Sequence, residues 1–168
     1  MTLFFGEPEL FAIELGRVAA PAFQNESQRG ATYYWVSGRR VAGGEAHLED
    51  LRFSMGRIVS DCGSRKMHAI CDFSPQTAFQ TLDAKILGYP VSANDLFAEL
   101  PGDCLRFSLW FHHILGGKQF FLVDCGESAR LIFGDSRGSF EGMVVAPIST
   151  FETVIESAYK HLEKLLGT

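Results

Sequence analysis

Residues 4–15 read FFGEPELFAIEL, and residues 33–41 read YYWVSGRRV. Apolar side chains occupy every second position at the end of the first stretch, with Glu14 between two of them, which is the pattern of a strand with one buried face. In the second stretch an aromatic run ends at Ser37-Gly38, a signal for a tight turn. The predicted elements here are strands at 10–15 and 32–36 and a short paired strand at Val41.

Helical patterns follow these strands. Apolar residues recur every three or four positions over 45–59, which predicts an amphipathic helix. A second helix is predicted over 74–88, because Ser74-Pro75 supplies an N-cap and a first-turn proline and Gly88 ends the apolar stripe. A shorter helix is predicted over 92–101.

The C-terminal half begins with strand-like runs and ends with a helix. The runs cover 105–114, 118–124, 129–133 and 140–146, and glycine-containing turns separate them. Gly116-Gly117 is the strongest of these turn signals, so we expect an antiparallel meander with a hairpin there. The last helix begins at the capping box of Ser149 and runs to Leu165.

These elements predict an α+β fold. We expect an antiparallel β-sheet, made of the N-terminal strand pair and the C-terminal meander, packed with about three to four helices including a long C-terminal one. The 168 residues fit a single domain over residues 1–168. A chain of this length buries roughly two thirds of the surface that its unfolded form exposes.

Charge and hydropathy exclude some classes of partner. The net charge is −5, so nucleic acid would be repelled and a basic protein attracted. No apolar run approaches the roughly 20 residues that a membrane-spanning helix needs. We therefore expect neither nucleic-acid binding nor membrane insertion, and the oligomeric state stays open.

The chain has four scattered cysteines: Cys62, Cys71, Cys104 and Cys125. They form no C-x-x-C pair and lack histidines at zinc-finger spacing, which argues against a metal site. The N-terminus lacks the pattern of a secretory signal, so we expect a reducing, cytoplasmic compartment and four free thiols, most of them buried. A catalytic pair of one cysteine with His68, His112 or His113 stays open as the less favoured alternative.

Several acidic and aromatic residues allow two interpretations. Four carboxylates lie around the predicted meander turns: Asp124, Glu127, Asp135 and Glu141. Turn chemistry is one explanation of these residues, and a hydrolase or cation site is another. A third is that they form a surface for a basic partner together with acidic residues of the first helix, namely Glu45, Glu49 and Asp50. In the Tyr33–Trp35 run, successive side chains point to opposite faces, so at least one aromatic ring is a candidate binding anchor.

The opening motif resembles a known family. Gly6-x-Pro8-x-x-Phe11-Ala-Ile-Glu14, followed by the aromatic strand and its glycine turn, is similar to the start of the bacterial immunity protein 42 family. Members of that family are small cytosolic antidotes carried beside polymorphic toxins, including those of contact-dependent growth inhibition. The resemblance implies a tight non-covalent complex that blocks a cognate toxin domain.

We accordingly expect a binding protein without enzymatic activity and with no cofactor, metal ion or catalytic residue. The sequence contains no phosphate loop, dinucleotide fingerprint or nucleophile elbow. A small cytosolic enzyme or ligand-binding module is the alternative, and a pocket that gathers His113, Cys104 and Asp124 would favour it. Our candidate partner-binding residues are Tyr34, Glu45, Glu49, Asp50, Asp135, Arg137 and Glu141.

Overall fold

The structure is a computed structural model that describes residues 2–17, 29–88, 100, 102, 104–109, 117–135 and 138–167. Among these residues there are seven strands, four α-helices and one 3-10 helix. The expected α+β class is confirmed. Contacts divide the chain into two compact units, one of residues 1–60, 111–116 and 149–168 and the other of residues 61–110 and 117–148. The single domain stays a prediction.

A four-stranded antiparallel sheet forms the first unit. Its strands are β1 (Thr2–Glu7), β2 (Phe11–Arg17), β3 (Arg29–Val36) and β4 (Arg39–His47), and they lie side by side in chain order. Ser37 and Gly38 both have positive φ, at 50° and 76°, which is the conformation of a two-residue hairpin turn with the right-handed twist of its strands. The predicted strand pair is confirmed. β1 was not predicted, and β4 is longer than expected.

Two helices cover one face of this sheet. They are α1 (Leu48–Ser60) and α4 (Ile148–Leu166), close to the bounds that periodicity predicts. The ring of Phe11 stacks on Tyr34 at 6.0 Å between centroids and meets Phe151 of α4 at 5.6 Å. Gly30 lets Leu48 lie directly against β3, because a Cβ at residue 30 would overlap the leucine side chain. Burial of these apolar groups supplies the driving force of folding for this unit.

Three of the four predicted strand-like runs form an antiparallel meander in the second unit. Its strands are β5 (Lys118–Asp124), β6 (Ala129–Asp135) and β7 (Ser139–Ala146), paired in that order. Two helices belong to it, α2 (His68–Cys71) and α3 (Pro75–Leu87). The predicted caps of α3 are confirmed: Ser74 accepts a hydrogen bond from the Thr77 N–H at 3.1 Å, and Gly88 adopts φ 72°.

The expected strand over 105–114 is wrong at its start. Leu105–Phe107 is a 3-10 helix, and Ser108 makes an isolated bridge to Phe121. Both Phe107 and Ser108 are buried, so side chains do not alternate between two faces as a regular strand requires. Residues 110–114 and Gly116 of the Gly116-Gly117 turn lie outside the described residues, whereas Gly117 has φ 85°. The predicted helix at 92–101 also lies outside them except for Leu100, which is a buried residue in a bend.

The expectation of four free thiols is also wrong, because Cys71 and Cys125 form a disulfide with 5.8 Å between their Cα atoms. Cys62 and Cys104 are not disulfide-bonded. The Met67 N–H donates to the Asp124 carbonyl at 3.1 Å, which holds the segment before α2 beside the end of β5. The disulfide joins residues that are 54 positions apart in the sequence. The spacing of the cysteines does not reveal this pairing. None of the described helices is long and apolar enough to cross a membrane.

Candidate partner-binding surfaces

Tyr34 lies in the core of the first unit. Its side chain is 1% exposed and stacks on Phe11, beneath the helices that cover this face of the sheet. Alternation along β3 correctly places Tyr34 opposite to Tyr33 and Trp35, but it does not say which face the helices cover. Tyr34 is therefore not part of the molecular surface. Tyr33 and Trp35 are half-buried and do contribute to it.

Glu45 was expected on the first helix, but it lies on β4. The ladder between β3 and β4 continues to His47, where Glu45 is opposite Ala31, and the helix begins only at Leu48. The Glu45 carboxylate is 3.6 Å from the Arg29 guanidinium, and both side chains are well exposed. An ion pair with this exposure contributes little to stability.

Glu49 and Asp50 are exposed in the first turn of α1, as predicted. Phe53, one turn further along the helix, is 78% exposed. The buried residues of this helix are Leu48, Leu51, Met55 and Ile58. At 100° per residue Phe53 falls directly opposite this stripe, so its exposure follows from the helical period. We call Glu49, Asp50 and Phe53 the Phe53 face.

Helix α4 borders this region through Tyr159. A Cβ on Gly56 would be 3.2 Å from the Tyr159 ring, so the glycine permits a close approach of the two helices. The hydrogen bond of the Tyr159 hydroxyl with Glu163 raises the pKa of Tyr159, and a further interaction with Arg52 opposes that shift. The phenol is therefore neutral at physiological pH and donates to the carboxylate.

The face of the sheet opposite to α1 and α4 carries a cluster of aromatic and charged residues. The Glu14 carboxylate accepts a hydrogen bond of 2.6 Å from Trp35 Nε1. One terminal nitrogen of Arg40 donates to both carboxylate oxygens of Glu14, at 3.1 and 3.0 Å. The Glu14 residue is 7% exposed, so these donors compensate a carboxylate that is largely removed from water.

Aromatic rings surround this ion pair. The Arg40 guanidinium lies 4.0 Å from the centroid of the Tyr33 ring, at cation–π distance. Phe4 makes an edge contact with Trp35 at 5.7 Å and is 49% exposed. Sequence reasoning missed this cluster. We call Phe4, Glu14, Tyr33, Trp35 and Arg40 the Glu14 cluster.

The remaining candidates lie near the meander. Glu141 pairs with Lys118, and Arg137 lies outside the described residues. Asp135 is at the end of β6, where its charge faces Asp83 of α3. Burial, and to a smaller extent the Asp135 charge, raise the pKa of Asp83 to about 6, against the opposing effect of a hydrogen bond from Gly138. Asp135 and Glu141 belong to the second unit, whereas Glu49 and Asp50 belong to the first.

The enzymatic alternative required three residues in one pocket. Cys104 is 3% exposed and packs in the apolar cluster that contains Phe107 and Phe121, which is an inert setting for a thiol. Asp124 accepts a hydrogen bond of 2.8 Å from the Gly126 N–H, which is the turn chemistry that the sequence offered as one explanation of this residue. His113 lies outside the described residues. Within the described part of the chain, no group of three or more metal-binding side chains is placed to hold an ion.

Comparison with known proteins decides the family. The family described as Immunity protein 42 matches residues 1–161. The chain belongs to this family. The fold of this Immunity protein 42 member is similar to the crystal structure of CdiI from Burkholderia dolosa AUO158, with a TM-score of 0.66 and 22% sequence identity over 95% of this chain and 99% of that chain. A comparison with curated protein sequences found no match.

Proposed function

We propose that this immunity protein binds and neutralises one cognate bacterial toxin domain in the cytoplasm and that it does so without catalysis. The observation that carries the proposal is the family match over residues 1–161. The likeness of its fold to CdiI over nearly the whole of both chains agrees with it.

The chemistry of the surface supports a protein partner. The chain has a net charge of −5, and acidic side chains of α1 are exposed beside a large apolar one. Complementary charge accelerates the encounter of two proteins and rejects wrong partners. A toxin stays blocked as long as its complex with the immunity protein does not dissociate, so slow dissociation alone is a sufficient mechanism.

An affinity capture from the host bacterium tests the proposal. The tagged chain is recovered from cells that express the toxin encoded beside it, and the bound proteins are identified and retested in purified form. We expect stoichiometric recovery of the C-terminal toxin domain, and we expect co-expression of the chain to restore growth of cells that make the toxin. Recovery of no toxin, together with unrelieved growth arrest, would refute the proposal.

A further inference from the structure

We infer that the Phe53 face of α1 is the surface that docks on the toxin, with Phe53 as the apolar anchor and with Glu49 and Asp50 as the acidic rim that selects a basic toxin surface. This inference rests on the proposed function and adds to it the location of the interface and the chemistry of the partner.

Phe53 is exceptional among the apolar residues of α1. Leu48, Leu51, Met55 and Ile58 are at most 2% exposed, whereas Phe53 is 78% exposed. Its side chain therefore contributes little to the packing of the helix. A large aromatic side chain held in water on a rigid helix can be buried by a partner at low cost in conformational entropy, because it has only two rotatable side-chain bonds.

The charges next to Phe53 indicate the charge and polarity of the partner's surface. Glu49 and Asp50 precede it by four and three positions, so all three side chains occupy one side of the helix. Both carboxylates are exposed in the first turn, where the positive end of the helix dipole favours them. Arg57, four positions after Phe53, lies on the same side of the helix, so the acidic border is confined to the N-terminal end of this face. The complement is a toxin surface with an apolar pocket that is bordered by Lys or Arg where it meets this end. A desolvated anchor inside a charged rim is the usual arrangement of an energetically dominant contact.

The surface continues onto α4 beside Phe53. Gly56, three positions after Phe53, brings the Tyr159 ring against α1. Tyr159 thereby adds a second aromatic side chain beside α1, with its hydroxyl hydrogen-bonded to Glu163. Tyr and Phe are enriched in the buried centres of interfaces, so the two helices together present a broader docking surface than α1 alone.

The Glu14 cluster is the strongest competing surface, since it exposes Phe4 and contains Trp, Tyr and Arg. Its polar groups already pair with each other, because Arg40 and Trp35 both donate to Glu14. A partner that binds there would either have to replace these hydrogen bonds with its own or leave them intact, and in neither case would these polar groups add to the binding free energy. The carboxylates of the Phe53 face differ in being exposed at a helix end. Phe4 is for this reason the matched control.

The test measures the binding kinetics of four variants to the purified C-terminal toxin domain encoded beside this chain. Phe53→Ala and the double variant Glu49→Gln/Asp50→Asn alter the proposed surface. Phe4→Ala and Glu7→Gln/Glu9→Gln are the controls, because they remove an exposed phenylalanine and two exposed carboxylates elsewhere on the same unit. Urea midpoints of all variants establish that they are folded.

We expect Phe53→Ala to weaken binding by about 30-fold or more, mainly through faster dissociation. We expect the Glu49/Asp50 variant to slow association by roughly threefold to tenfold at low salt and to match the unmodified chain near 1 M salt, where charges are screened within about 3 Å. Both controls should bind within about twofold of the unmodified chain.

Three results would overturn the inference, and they are distinguishable. If the unmodified chain binds and Phe53→Ala binds equally well, the docking surface lies elsewhere while the proposed function stands. If Phe4→Ala alone loses affinity, the Glu14 cluster is the interface. If the unmodified chain does not bind the toxin at all, the proposed function fails and the inference fails with it.

Discussion

The carboxylate of Glu14 and the indole of Trp35 are joined by a hydrogen bond of 2.6 Å across the β2–β3 ladder. Glu14 ends the Phe-Ala-Ile-Glu motif, and Trp35 belongs to the aromatic strand, so this contact links the two stretches that carry the family resemblance. Arg40 completes the arrangement from β4. The motif therefore has a structural role, because its glutamate connects side chains of three adjacent strands on the face opposite to α1 and α4.

Removing this carboxylate should destabilise the protein. Glu14→Ala leaves the Trp35 N–H and the Arg40 guanidinium without their acceptor, and we expect a loss of about 1–3 kcal/mol in the free energy of unfolding. Urea denaturation measures it. Glu9→Ala, at an exposed position of the β1–β2 turn, should change stability by less than about 0.5 kcal/mol. Equal stability of the two variants would show that the Glu14 interactions contribute nothing.

The glycine of the same motif should be intolerant of a side chain. Gly6 has φ 92°, and a Cβ there would overlap the Phe11 carbonyl oxygen and approach Val154 of α4. Gly6→Ala should therefore cost about 3 kcal/mol or more, from backbone strain and steric overlap together. Gly38→Ala is the matched comparison, since Gly38 has φ 76° and open space around it. We expect about 1–2 kcal/mol for that change, and similar losses at the two glycines would contradict the steric part of the argument.

Asp83 should make stability depend on pH. Burial raises its pKa from 3.8 to about 6. The folded state therefore holds the proton more tightly than the unfolded state, and stability is lost as the pH rises from about 4 through 6.

Asp83→Asn tests this dependence by urea denaturation at pH 4 and pH 7.5. We expect the variant to be the more stable protein at pH 7.5 and the advantage to shrink toward pH 4. Asp72→Asn changes the net charge equally at an exposed position and should leave the pH dependence of the unmodified chain in place. A constant difference between Asp83→Asn and the unmodified chain at both pH values would rule out titration of Asp83 in this range.

The disulfide between Cys71 and Cys125 makes a further prediction. It closes a loop of 54 positions, so its reduction should lower the free energy of unfolding by about 2–4 kcal/mol. The double variant Cys71→Ser/Cys125→Ser should show the same loss and should not respond to dithiothreitol. Four maleimide-reactive thiols in the unfolded, unreduced protein would contradict the bond. Reducing cytoplasm opposes disulfides, so the same assay on protein from host cells tests the proposed compartment.

Local patterns predicted the regular elements well. The periodicity of α1 and α4, the caps of α3 and the turn at Gly126 between β5 and β6 depend on residues close together in sequence, and they are confirmed. β1 was missed because Gly6 and Pro8 indicate a turn where the strand in fact continues to Glu7. The apolar run at 105–107 was ambiguous between strand and helix, as short runs are.

The surfaces were less predictable than the elements. Periodicity places Phe53 off the apolar stripe of α1, so its exposure could be predicted from the sequence, but Phe53 was not among the candidate partner-binding residues. The burial of Tyr34 and the Glu14 cluster depend on which face of the sheet the helices cover. That choice is made by tertiary packing between segments far apart in the chain, which a single sequence does not encode in any local pattern.

A calorimetric titration of the full chain with the purified C-terminal toxin domain encoded beside it, at physiological salt, tests the central claim most directly. We predict a one-to-one complex of nanomolar or tighter affinity, on the order of 12 kcal/mol, with loss of the toxin's activity at equimolar ratio. Absence of a complex at about 10 μM of each protein, an affinity weaker than roughly 7 kcal/mol, would contradict the account.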